Sequence, residues 1–235
     1  MTDLYDLFFF EPVLNLFIFL HGFISDFGIL IIILTIIIRV VLWPFAQAGI
    51  KSQKAMLTIQ PKLENLKRQY KDKKEELARA TMELYKQEHI NPFSSCLPLL
   101  IQLPFMFALF QVLMLDVSKD AQQYLYTFID MPPTFAQFSF IFGDLSKPSI
   151  VLAILAGLSQ FWQGKKLEAL RPARQANQKE DMTTALNKQM LYMMPVMTVI
   201  FGITLPGGLS LYWLVTTLLL IFQQEYFGNK ESKAL

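Results

Sequence analysis

The sequence contains a single cysteine, Cys96, and only two histidines in 235 residues. One cysteine excludes an intrachain disulfide, and two histidines as far apart as His21 and His89 are better read as ordinary polar residues than as metal ligands. No GxxxxGK segment is present, which excludes a phosphate-cradling loop of that kind. We therefore expect no cofactor, no metal and no nucleotide, and a protein that is not an enzyme.

Basic residues are absent from the first 25 positions, whereas a signal peptide starts with a basic segment, so no cleavable signal is expected. Of the 21 Lys and Arg residues, ten lie in 48–91, six in 165–188, two after residue 224 and only two in 116–148. Membrane proteins keep basic loops in the cytoplasm. This distribution predicts an outside N-terminus and a cytoplasmic C-terminus.

Apolar residues are abundant: 53% of the chain is hydrophobic and 14% is aromatic. This composition is typical of a polytopic membrane protein. Apolar runs, helical spacing and turn residues predict an all-α protein with five transmembrane helices, a cytoplasmic helical hairpin and an N-terminal interfacial helix. The predicted segments are an extracytoplasmic interfacial helix (1–24), span one (25–47), the hairpin (48–91), span two (92–115), an extracytoplasmic loop (116–148), span three (149–164), a cytoplasmic loop (165–187), span four (188–205), span five (209–227) and a cytoplasmic tail (228–235).

The first span carries the one charge inside an apolar run. The run FGILIIILTIIIRVVLWPF at 27–45, read as one helix, would be about 28 Å long and contains Arg39. An arginine at the centre of a span costs roughly 2.5–3.5 kcal/mol, so it should face a polar cavity. The alternative is that Arg39 lies near the helix end and reaches the interface. Both interpretations stay open on this stretch alone.

Acidic residues are absent from the interiors of all five predicted spans, since Asp26 and Glu225 lie at the ends of spans one and five, so Arg39 would offer an unneutralised positive field. Neutral polar residues are numerous in the spans. Each one alone is explained by helix–helix hydrogen bonding, but together they favour a wet groove inside the membrane. The predicted groove residues, in addition to Arg39, are Thr35, Gln102, Gln160, Gln163, Ser210 and Trp213, of which Trp213 rests on the resemblance described next.

The segments ILTIIIRVVLWPF, CLPLLIQLPFMFALFQVL and MPVMTVIFGITLPGGLSLYWLVTTLLLIFQQ, in this order, resemble the YidC/Oxa family of membrane-protein insertases, of the bacterial type that lacks the large periplasmic domain. The resemblance implies a five-helix core with a groove that is open to cytoplasm and lipid. It also implies that Arg39 receives the hydrophilic end of an incoming protein, that Trp213 lines its path, and that the protein lies in the plasma (inner) membrane of a bacterium.

The expected function is that of an insertase and chaperone that passes short hydrophilic client segments through the groove and releases apolar helices sideways. Expected partners are nascent membrane proteins and the lipid bilayer, with the ribosome and the Sec translocon as further candidates. No specific nucleic acid is expected, and the protein should work as a monomer. One alternative is a small-solute anion channel or transporter that uses Arg39, and another is a purely structural assembly factor.

The route of a client is predicted from two helical stripes. Span five presents Ser210, Trp213, Thr217 and Leu220 at spacings of three and four. Span three presents Gly157, Gln160 and Gly164, and small residues permit close approach of another helix. A client helix would leave between these stripes, unless the two stripes simply pack on each other.

Overall fold

The computed structural model describes residues 4–70, 73–91, 97–115, 120–130, 137–169 and 182–232. Cys96, the Pro132-Pro133 pair and most of the predicted second cytoplasmic loop lie outside these residues. The described residues form a π-helical turn (Asp6–Phe10), a 3-10 turn (Ala121–Tyr124), two short strands and nine α-helices. In chain order, the helices are α1 (Glu11–His21), α2 (Phe27–Val41), α3 (Trp43–Thr58), α4 (Gln60–Gln69), α5 (Lys74–Gln87), α6 (Leu97–Met114), α7 (Ile150–Ala169), α8 (Met182–Gly202) and α9 (Gly207–Ser232).

The apolar run at 27–45 is not one straight helix. The chain bends by 67° between α2 and α3, with Leu42 at the break. Pro44 lies in the first turn of α3, where its missing N–H cannot bond the carbonyl four residues earlier. Helix α3 crosses the predicted boundary at residue 47 and continues to Thr58, so the helix and the predicted span have different ends. The end of span one in the membrane stays a prediction.

Three other helices extend beyond their predicted ends. Helix α7 continues past residue 164 to Ala169, α8 already begins at Met182, and α9 continues past residue 227 to Ser232. Charged residues occur in the extra turns of α7 and α9, and in α7 Lys165 pairs with Glu168 at 2.8 Å, one turn apart. Hydropathy marks where a segment stops being apolar, whereas the backbone hydrogen bonds of the helix continue.

By length and composition, one stretch of helix, Gly207–Tyr226 in α9, qualifies as a membrane span among the described residues, and the bent pair α2–α3 would count as a second. Leu100–Met114 and Leu191–Gly202 are apolar but shorter. The helical fold class is thus confirmed in outline. The count of five spans and their orientation remain predictions.

The main hydrophobic core is built around α2. Phe27, Leu30, Ile31 and Leu34 of this helix are fully buried against residues of α1, α6 and α9. Helix α7 packs on α8 and α9, which completes the bundle. The hairpin of α4 and α5, which we call the arm, has a separate small cluster formed by Ile59, Leu63 and Leu84.

The N-terminal end of α2 is linked to a β-hairpin by the carboxylate of Asp26. The hairpin is formed by β1 (Phe138–Ser139) and β2 (Gly143–Asp144), paired antiparallel. Asp26 caps α2 by accepting from the Ile29 amide at 2.9 Å, and its second oxygen accepts from the Ser139 hydroxyl at 3.1 Å and the Phe140 amide at 2.7 Å. Gly28 allows this contact, because a Cβ there would lie 2.6 Å from the Phe142 ring.

We expect Asp26→Ala to destabilise the protein by about 1–3 kcal/mol, because the change removes a helix cap and two further hydrogen bonds to a charged group. Thermal unfolding in detergent would measure the loss. Asp120→Ala is the matched control, since Asp120 is an exposed aspartate in the neighbouring loop segment. Equal unfolding temperatures for the two variants would contradict this role of Asp26.

Candidate functional site

Arg39 lies in the last turn of α2, with its side chain directed at α9. Its Nη2 donates to the backbone carbonyl of Thr216 at 3.3 Å, while its Nε is buried and has no hydrogen-bond partner among the described residues. In that part of the chain no carboxylate pairs with it. Because a buried donor without a hydrogen-bond partner is costly, Nε is a place where an acceptor from another molecule would be stabilised.

Thr35 and Tyr212 complete the surroundings of Arg39. Thr35 lies one helical turn before Arg39 on the same face of α2; it is fully buried, and its hydroxyl donates to the Ile31 carbonyl at 2.6 Å. Tyr212 is 1% exposed, and its phenol neighbours both the Arg39 guanidinium and the Thr216 hydroxyl. The centre of the site is therefore a cation with hydroxyl groups around it, enclosed by apolar side chains.

The face of α9 turned toward Arg39 differs from the predicted stripe. The residues that meet Arg39 are Tyr212 and Thr216, four positions apart, rather than the stripe through Trp213. Trp213 is half-buried and packs against the main hydrophobic core. Ser210 is fully buried, and its hydroxyl donates to the Gly202 carbonyl of α8 at 3.5 Å. Its assignment to the groove stays a prediction. One residue along a helix is a rotation of about 100°, which separates the two faces.

The predicted stripe of α7 faces α8 instead of the arginine. Gln160 accepts a hydrogen bond from the Thr198 hydroxyl of α8 at 2.7 Å. A Cβ at Gly157 would meet Val199 at 2.5 Å and one at Gly164 would meet Leu191 at 2.6 Å, so both glycines serve close packing on α8. In the structure this stripe contacts α8, and its role as one wall of the client route stays a prediction.

For two predicted groove residues, no contact among the described residues links them to Arg39. Gln102 is half-buried on α6, and Gln163 is half-buried near the end of the apolar part of α7. Their assignment to the groove stays a prediction.

The contact that Gln223 makes was not predicted from the sequence. Its Nε2 donates to the carbonyl of Trp43 at 3.3 Å, so α9 holds the first residue after the bend between α2 and α3. Gln223 is 2% exposed. Nearby, Lys166 of α7 pairs with Glu225 of α9 and lies 4.8 Å from the centre of the Trp162 ring. A glutamine near the end of an apolar helix was the available signal, but its partner is far away in sequence.

No group of three His, Cys, Asp or Glu side chains that could hold a metal ion occurs in the residues that the structure describes. The arrangement around Arg39 can form hydrogen bonds with polar groups and attract negative charge. The site is suited to holding a polar or negatively charged segment.

The outer surface of the bundle carries large apolar side chains that are well exposed, among them Val40 at 62%, Leu158 at 59% and Phe222 at 60%. Apolar helices with such a surface and a partly buried arginine define a helical membrane protein. The family model described as 60Kd inner membrane protein matches residues 19–234. The chain therefore belongs to the 60Kd inner membrane protein family.

Known relatives agree with this assignment and confirm the resemblance to the YidC/Oxa family. The chain is 34% identical over 208 residues to the membrane protein insertase YidC of Fusobacterium nucleatum, covering 88% of this chain and 89% of that protein. It is 32% identical over 224 residues to the YidC of Geobacter sulfurreducens, covering 95% of this chain and 38% of that protein. This chain thus spans well under half the length of the Geobacter relative.

A solved structure gives the same result at the level of the fold. A crystal structure of an active YidC insertase with its first transmembrane domain resolved superposes with a TM-score of 0.60. The sequence identity is 27%, and the match covers 94% of this chain and 46% of that chain. The fold of the described residues is accordingly the helical fold of this family.

Proposed function

We propose that this protein inserts other proteins into a bacterial inner membrane. The observation that carries the proposal is the partly buried guanidinium of Arg39, which keeps a free donor at its buried Nε and has no carboxylate partner in the described part of the chain. Several family members are named membrane protein insertases, which supports the same activity here. The clients are nascent membrane proteins with a short hydrophilic segment.

In the first step of the proposed mechanism, the hydrophilic segment of a client enters beside Arg39. Its polar groups exchange water for the guanidinium and for the hydroxyl groups of Tyr212 and Thr216, which lowers the cost of desolvation. An acidic segment also gains about 2.3 kcal/mol per charge per 100 mV when it moves to the positive outer face. The positive site therefore favours clients with acidic tails.

In the second step, the apolar part of the client leaves sideways into lipid. Each Leu, Ile, Phe or Val near the bilayer centre contributes roughly 0.3–0.6 kcal/mol, so a whole helix supplies enough free energy without a nucleotide. We place the N-terminus outside and the C-terminus in the cytoplasm, because the basic residues concentrate in the arm and in the loop at 165–187. The ribosome and the Sec translocon remain candidate partners, and a monomer remains the proposed working unit.

Reconstitution of the purified protein into liposomes tests this function. With an imposed potential, a small client with an acidic tail should become protected from added protease only when the protein is present. Flux of small anions without any client insertion would instead support an anion channel that uses Arg39. Client insertion by the protein alone would dismiss a purely structural assembly role.

The path of the client can be tested by crosslinking. We expect a photo-crosslinker at Trp213 to capture a client stalled midway, because Trp213 is half-buried on α9 and directly follows Tyr212, which neighbours Arg39. The same probe at Gln160 should capture less, because Gln160 is bonded to Thr198 inside the α7–α8 contact. A probe at Leu218, which is 43% exposed, is the control on the outer surface of α9. Strong capture at Gln160 with none at Trp213 would place the path between α7 and α8 instead.

A further inference from the structure

The β-hairpin that is held by Asp26 ends in an unusual turn. Its tip consists of apolar residues, with exposed fractions of 51% for Phe138, 85% for Phe140 and 68% for Ile141. Three residues, Phe140 to Phe142, connect the strands, whereas turns in water favour Asn, Asp and Gly, whose side chains or backbones are compatible with solvent. A phenylalanine that is almost fully exposed at a turn therefore indicates a surface that something apolar covers.

The backbone of the tip does not need water for its donors. The Phe140 amide donates to the Asp26 carboxylate at 2.7 Å, and the amides of Ile141 and Phe142 donate to the Ser139 hydroxyl at 3.2 and 3.3 Å. Three consecutive N–H groups are thus satisfied inside the protein. Irregular backbone can enter an apolar environment only when its polar groups are satisfied in this way.

The hairpin is also held firmly at its base. The Gly207 amide donates to the Lys147 carbonyl at 2.9 Å and the Gly208 amide donates to the Leu145 carbonyl at 3.1 Å, which joins the segment to the start of α9. The side chains of Asp144 and Lys147 form an exposed ion pair at 2.9 Å on the same segment. The hairpin therefore has a charged base and an apolar tip.

The apolar surface of the tip continues onto the outer face of the bundle. The chain passes from the hairpin into α7, whose first residues Ile150 and Val151 are 65% and 68% exposed. Since the protein belongs to an inner-membrane family, the exposed apolar face of its helices is covered by lipid. Lipid is also the occupant that suits the tip, because apolar and aromatic side chains next to a charged base match the boundary between acyl chains and headgroups.

We propose that Phe138, Phe140 and Ile141 form a lipid anchor that inserts into the leaflet at this end of the bundle, which is the outer leaflet in the predicted topology. The carboxylate of Asp26 holds the anchor and caps α2 at the same time, so the anchor is connected to the helix that carries Arg39. This anchor does not depend on insertion activity.

Spin labelling in proteoliposomes tests the anchor. In a Cys96→Ser background, a nitroxide is attached at Phe140→Cys, and its collisions with oxygen and with a water-soluble nickel chelate are measured. Leu158→Cys on the outer face of α7 is the lipid control, and Lys73→Cys on the exposed arm is the aqueous control. The label at position 140 should show the high ratio of oxygen to nickel accessibility found at position 158.

Two outcomes would overturn the proposal. Nickel accessibility at position 140 equal to that at position 73 would mean that water surrounds the tip. Low accessibility to both reagents would mean that protein covers the tip, which in a purified sample is a second copy of the chain. Circular dichroism of each labelled variant checks that the fold is retained, and Phe140 is a safe labelling position because its side chain is exposed.

Discussion

Replacing Arg39 with alanine is expected to lower insertion of a client with an acidic tail by about tenfold or more, because tenfold corresponds to only about 1.4 kcal/mol of lost charge attraction. The guanidinium is the cation at the centre of the site, and no described carboxylate neutralises it. Protease protection of the client in liposomes, at fixed lipid composition and potential, measures the effect. Arg39→Lys should retain part of the activity, since the positive charge matters more here than paired hydrogen bonds.

The controls for this prediction separate the charge from its position. A client whose tail has been made neutral should be less affected by Arg39→Ala than the acidic one. Lys51→Ala removes a cation from the exposed side of α3 and should leave insertion unchanged. If the alanine variant at position 39 inserted the acidic client at the normal rate, Arg39 would be an interfacial anchor rather than the centre of a groove.

The helical fold could be predicted because apolar runs and basic loops are visible in sequence. The bend at Leu42 could not be predicted with the same ease, although Pro44 was a signal. A proline at the end of an apolar run either ends a helix or starts the next one. The two cases differ only in whether the residues after the proline form helical backbone hydrogen bonds. Here α3 is 16 residues long, and the side chain of Gln223 of α9 donates a hydrogen bond to the carbonyl of its first residue, Trp43.

The candidate site was predictable only along α2. Thr35 and Arg39 lie four positions apart, so their common face follows from helix geometry alone. The face of α9 that meets Arg39 could not be predicted in this way, because this helix is apolar both on the side that packs in the core and on its exposed side. With no polar side to orient it, a choice between Trp213 and Tyr212 cannot be made from periodicity. The contact between Gln160 and Thr198 likewise depends on which helix is the neighbour of α7.

The arm can be removed without removing the core that holds Arg39. Ile59, Leu63 and Leu84 form a cluster of their own, separate from the main core around α2. Helix α3 must stay, because Ala46 and Ile50 are buried and the helix packs on α6. Lys62 and Glu88 form an ion pair, which shows that the two ends of the arm lie close together. A short Gly/Ser linker can therefore replace residues 60–87.

We expect this deletion to abolish insertion while the remaining helices stay folded. The arm belongs to the most basic segment of the chain, with ten Lys and Arg against six acids in 48–91, and α3, which leads into it, starts four residues after Arg39. Losing it removes the charged surface that a client or its delivering partner would meet first on the cytoplasmic side. Insertion is measured in liposomes, and thermal unfolding in detergent reports on the bundle.

Lys62→Ala, which breaks only an exposed ion pair of the arm, should behave like the unchanged protein. Normal insertion by the deletion variant would show that the bundle alone receives the client, and unfolding of that variant would show that the arm supports the bundle.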